Sequence, residues 1–208
     1  MSVVHPIVRA WISTGGTGAQ NYDEFPDESE ITRIITANPE SALAIEMPHR
    51  APPSAGSDFA SALPAAAERL ARQRADGSYA PAENVLALYR ISEPGRPDEA
   101  MHGLFAMVDT DQISTRADEP GLIIRNEEVF IEKVRERVAL AQAVRHLLSP
   151  VLLLQTAPDQ ALGTALREAV EAAGAPAVTD TDHMGRTHAV WPVPVGAAAT
   201  RLAELAGA

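Results

Sequence analysis

Short apolar runs of strand length alternate with amphipathic stretches of helix length along the whole chain, and that order points to an α/β organisation. The first strand is expected at Ile7 to Ile12 and runs into Ser13-Thr14-Gly15-Gly16-Thr17-Gly18, whose glycines permit positive φ and a tight turn. Asp27 to Ala37 reads as a helix, with Asp27 as N-cap, Glu30 three residues on, and Ile31, Ile34 and Ile35 at helical spacing. Ser41 to Met47 reads as the next strand, and the prolines between His49 and Ser57 punctuate the chain. Ser57 to Arg74 is helical, with a stripe of Phe59, Leu63, Ala66, Leu70 and Ala71, and Pro64 argues for a later start.

Asn84 to Ile91 and Met101 to Val108 form a hairpin around the turn residues Ser92-Glu93-Pro94-Gly95. The clearest helix begins near Glu128. Phe130, Val134, Val138, Ala141 and Leu148 lie on one broad apolar face, and Glu128, Glu132 and Glu136 form an exposed acidic ridge. Beyond it come the apolar Val151 to Leu154, a helix over Asp159 to Ala172, strands at Ala177 to Thr179 and Arg186 to Val193, and a helix over Gly196 to Leu205. With no repeat and no linker-like boundary, the 208 residues are expected to form one α/β domain, 1–208, with a mixed sheet and flanking helices.

Composition excludes several chemistries. The chain has no cysteine, which removes disulfides, thiolate metal sites and cysteine nucleophiles, and fits a cytoplasmic location. The opening MSVVHPIVRAWIS lacks the long apolar run of a secretion signal, and no stretch reaches the ~18 apolar residues of a spanning helix. A formal charge of −11 argues against bulk nucleic acid and anionic membranes as partners. It leaves room for a local phosphate site where arginines and backbone amides converge.

Three sets of residues carry a resemblance: Gly18-Ala19-Gln20-Asn21-Tyr22-Asp23-Glu24-Phe25, Gly103-Leu104-Phe105, and Ile124-Arg125-Asn126-Glu127 followed by Arg137 and Leu147-Leu148-Ser149-Pro150-Val151-Leu152-Leu153-Leu154. In this order they resemble the N-terminal portion of the domain of unknown function 1015 family, over most of the chain. Members of that family carry a Pro-Pro-Tyr-Asp segment, of which Tyr22 and Asp23 keep the second half after Gln20-Asn21. They also carry a His-Glu-x-Thr segment with a downstream arginine. Glu127 and Arg137 match its acidic and basic positions, while Asn126 and Val129 replace the histidine and threonine. The family's later Asp-Gly-His-His-Arg segment is not matched, and the chain ends near where it is expected, after Gly185-Arg186-Thr187-His188-Ala189-Val190-Trp191.

The resemblance implies a relationship to parB-like small-molecule kinases that phosphorylate free serine with ATP and Mg²⁺. On that reading Glu127 is the catalytic carboxylate, and Arg125, Asn126, Arg137, Tyr22 and Asp23 hold substrate or phosphate. Each has a plainer reading as well. Glu127 suits a helix N-terminus, Arg137 and Arg125 suit ion pairs on helical surfaces, and Tyr22 and Asp23 suit a loop turn. The Gly15 to Gly18 run lacks the lysine of a Walker loop and reads more simply as a turn. Asp180, Asp182, His183 and His188 offer metal-ligand types, but not at a zinc spacing. Ser149 lacks a nucleophile elbow.

Two function classes follow: a divergent nucleotide-dependent kinase, complete in itself or completed by another subunit, and a noncatalytic ligand-binding or protein-interaction module. A small molecule, a second copy or a completing protein are the expected partners. An exposed apolar patch favours completion by a partner, and a closed polar surface favours an autonomous domain.

Overall fold

The computed structural model describes residues 3–15, 27–116, 118–119, 121–125, 128–156 and 160–208. In chain order it contains β1 (Val4–His5), β2 (Ile7–Ser13), α1 (Glu28–Ala37), α2 (Leu43–Glu46), a 3-10 turn (Pro48–Arg50) and α3 (Phe59–Ala75). These are followed by β3 (Tyr79–Glu93), β4 (Arg96–Phe105), β5 (Met107–Val108), a 3-10 turn (Thr110–Gln112), β6 (Ile113–Ser114) and β7 (Ile123–Ile124). The rest comprises α4 (Ile131–Val144), α5 (Ala161–Ala173), β8 (Val178–Thr181), β9 (Thr187–Pro194) and α6 (Ala197–Ala206). The expected mixture of helices and strands forms, but the expected mixed sheet does not, since the large sheet is antiparallel throughout, as in an α+β arrangement.

The 15-residue β3 organises a five-stranded sheet of order β2-β3-β9-β8, with β4 also on β3. Val85 pairs with both Ile7 and Pro194, and Ala87 with both Phe105 and Pro192. β2 and β4 therefore follow one another along one edge of β3, and β9 takes the other edge. Every pairing in this sheet is antiparallel; short hairpins join β3 to β4 and β8 to β9, while long stretches of chain separate β2 from β3 and β3 from β9. Among the described residues the parallel ladder is the two-residue β6–β7 pair.

Strand alternation puts Leu86 and Leu88 of β3 on the face that carries Trp191 of β9, and α5 and α6 cover that face with Leu166, Val170 and Leu202. Leu86 and Leu88 are wholly buried, each contributing roughly 1.5–3 kcal/mol relative to exposure. A second layer is helical: Ile45 of α2, Ala66 and Leu70 of α3, and Leu140 and Val144 of α4 pack together. Ile31 and Ile35 of α1 close over Leu43 and Met47 beside it.

Two local expectations are corrected. Ser41 to Met47 is not a strand. Ser41 Oγ accepts from Leu43 N at 3.1 Å and opens α2, whose consecutive Leu43, Ala44 and Ile45 are all buried between α1 and α3. A short apolar run has no periodicity of its own to separate the two structures. Pro64 does not delay α3, which starts at Phe59 with Asp58 accepting from Ser61 N at 3.0 Å. Pro64 and Ala60 are both exposed, so the carbonyl that loses its partner faces water. The helix expected near Glu128 forms as α4, with its first residue at Ile131.

The β3–β4 hairpin forms as the turn chemistry requires, with Gly95 at φ 74°. A Cβ at Gly95 would meet nothing within 4 Å, so only backbone conformation is at stake. Gly95→Ala is expected to lower stability by about 1 kcal/mol, read as a reduced urea midpoint at unchanged m-value.

Candidate functional site

The β8–β9 turn folds around a buried carboxylate. Asp182 Oδ1 accepts from the backbone N–H of Met184 and of Arg186, both at 2.9 Å. Its Oδ2 accepts from Arg186 Nε at 2.5 Å and from His188 Nε2 at 3.0 Å. An ionised carboxylate only accepts, so His188 Nε2 carries a proton, and in the neutral ring Nδ1 accepts from the Tyr89 hydroxyl. Tyr89 reaches it because Tyr89 pairs with Val190, two residues beyond His188 on the same face of β9. The Asp182 side chain is fully buried. Burial by itself raises a carboxyl, but the hydrogen bonds from His188 and Arg186 and the Arg186 charge outweigh it and hold the group far below the carboxylate range.

Of the four metal-ligand types near this turn, the structure brings Asp182 and His188 into contact and sets Asp180 opposite His188 in the ladder, while His183 is exposed. Asp182 already receives four donors, which leaves its lone pairs committed to the turn. Among the described residues no group of three His, Asp or Glu side chains is placed to hold a metal.

Arg137 lies under α4, half-buried against the helical layer. Its Nη1 is 3.6 Å from Glu46 Oε1, its Nη2 is 3.9 Å from Met47 Sδ, and its guanidinium sits 5.5 Å from the Phe59 ring centroid. Glu46 also accepts from the Ser149 hydroxyl, so Ser149 ties the end of α4 to α2. His49 packs edge-on to Phe59, and burial lowers its pKa, with Glu136 opposing and Lys133 and Arg137 adding to the fall. Arg125 stands apart, paired with Glu128 at 3.3 Å. Tyr22, Asp23, Asn126 and Glu127 lie outside the described residues, as do Gly16 to Gly18. The two described arginines of the kinase set thus each face a carboxylate.

α4 turns Leu140 and Val144 toward α3, at the edge of the apolar face read from sequence. Phe130, Val134 and Val138 remain 80%, 38% and 50% exposed. They line an open groove of about 1080 Å³ together with Glu128, Arg145 and Leu147. The apolar exposure continues through Leu147 and Val151 to Leu154, a stretch without regular structure. Sequence reasoning missed Glu46, which it placed in a strand, Tyr89, whose role depends on cross-strand register, and Arg186, which meets Asp182 within the β8–β9 turn.

A mixed α/β domain, with its buried polar side chains spent on holding turns and helices together, is the class this geometry defines. The chain belongs to a family described as protein of unknown function (DUF1015), whose model matches residues 17–207. No curated protein and no solved structure matches it, so the parB-like relationship rests on the resemblance alone. No helix among the described residues is long and apolar enough to cross a membrane.

Proposed function

We propose that this chain is a noncatalytic protein-interaction module whose contact surface is the outer face of α4. The observation that carries the reading is the exposed row of Phe130, Val134 and Val138, continuous with Leu147. Single exposed apolar residues are ordinary, but a contiguous row on one helix marks a surface that meets a partner. Engagement of Arg137 by Glu46 supports it, since that cation fastens α4 to α2.

The test is a turnover assay. The chain is incubated with ATP, Mg²⁺ and a pool of free amino acids including serine, and ADP and phosphorylated products are measured by mass spectrometry. No ADP above the blank is expected. Product that disappears in Glu127→Gln, with the fold retained, overturns the module reading in favour of an ATP-dependent small-molecule kinase.

A further inference from the structure

We infer that the α4 groove receives an acidic amphipathic helix from another protein, an inference that rests on the interaction-module reading and adds the chemistry of the partner. Among the described residues the groove is lined by α4 and its flanks alone, an open strip with Phe130, Val134 and Val138 along it, against which the i, i+3, i+4, i+7 face of an amphipathic helix can lie.

Charge then selects among apolar helices. The chain as a whole carries −11, yet among the described residues the charged side chains lining this groove are Lys133, Arg137 and Arg145 against one acid, Glu128. Arg137 is offset by Glu46, and Glu128 pairs with Arg125 across an exposed contact of 3.3 Å that contributes little. Lys133 shares only an exposed contact of 3.6 Å with Glu136, which contributes little. Arg145, exposed just past the last turn of α4, has no carboxylate partner among the described residues. Positive potential therefore remains at Lys133 on the flank and at Arg145 at the end, about 18 Å apart at 1.5 Å per helical residue. A partner helix of about 12 residues or more, with carboxylates near both ends of its apolar face, meets both cations.

A second copy fits less well: pairing α4 with itself sets one basic flank against another, and two bodies of −11 repel. An anionic membrane offers the acid and the apolar phase, but an extended surface meets the net charge of the whole chain, whereas a single helix within about 8 Å meets the local potential of Lys133 and Arg145.

The experiment uses the whole chain and a labelled 16-residue peptide with Leu at i, i+3, i+4, i+7, i+8 and i+11 and Glu at the outward positions, followed by fluorescence anisotropy at about 0.15 M salt. A peptide with Lys in place of every Glu is the control. The Glu peptide is expected to bind at least about tenfold more tightly than the Lys peptide, and Lys133→Glu combined with Arg145→Glu to reverse that order. Val134→Asp with Val138→Asp, both exposed sites, is expected to abolish binding while circular dichroism stays unchanged.

Absence of binding, equal binding of the two peptides, or binding indifferent to the two valine changes overturns the inference. A dimer in sedimentation velocity that Val138→Asp dissociates assigns the groove to a second copy instead. Cosedimentation with anionic vesicles that is lost in the same variant assigns it to a lipid surface. ADP release in the turnover assay speaks to the module reading, whereas peptide charge preference speaks only to the partner, so the two failures are distinguishable.

Discussion

Asp182→Ala is expected to lower folding stability by about 3–5 kcal/mol, the cost of removing one partner from a buried, hydrogen-bonded charge pair. In a chain of this length that corresponds to a fall in Tm of roughly 10 °C. The loss has two parts. The backbone N–H groups of Met184 and Arg186 lose the acceptor that closes the turn, Arg186 loses the charge that balances it inside the fold, and His188 Nε2 loses its hydrogen-bond acceptor. Asp182→Asn keeps an oxygen for the two amides, so it is expected to recover part of the loss. A loss below about 1 kcal/mol for Asp182→Ala, the size of a surface pair, would show that the turn holds without the carboxylate.

The same group predicts a pH dependence. Its folded pKa lies well below its unfolded value of about 3.9, so the unfolded chain binds the proton first and stability falls as pH falls below that value. The contribution is fully present at neutral pH and is lost progressively on descent toward the much lower folded pKa. Urea titrations between pH 6 and pH 2 are expected to show a shallower acid loss in Asp182→Asn than in the parent chain.

How far the sequence could be read is clear from particular elements. The α1 cap at Asp27, the β3–β4 hairpin at Gly95 and the C-terminal strand and helix were legible because local chemistry decides them: a side chain capping a helix, a glycine at positive φ, an alternating or helical apolar period. α2 was not legible, because seven residues of SALAIEM satisfy strand and helix alike and tertiary burial on all sides makes the choice. Candidate residues divide the same way. Arg137 was visible as a cation at the edge of an apolar face, but its partner Glu46 is 91 residues earlier and no local rule joins them. The exposed row on α4 was read as apolar, which is correct, but whether an apolar face meets this chain or another depends on how much of it α3 can cover.

Glu46→Ala is expected to cost about 2 kcal/mol, because it leaves the Arg137 charge half-buried against Met47 and Phe59 without the Glu46 carboxylate. The figure sits below that for Asp182 because both side chains of this pair keep some contact with water, at 15% for Glu46 and 23% for Arg137. Arg137→Met retains the stem that packs between α2 and α4 and removes the charge, so it is expected to cost about 1–2 kcal/mol. In the double variant the losses should fall short of additive by about 1 kcal/mol, the coupling between the two groups. The same measurements separate the structural role from a phosphate-binding one. An arginine held ready for phosphate contributes to ligand affinity and leaves folding stability within about 0.5 kcal/mol when replaced, whereas one that fastens α4 to α2 shifts the urea midpoint with no nucleotide present. A midpoint unchanged in Arg137→Met, together with loss of ATP-dependent thermal stabilisation seen in the parent, would assign Arg137 to phosphate and weaken the interaction-module reading with it.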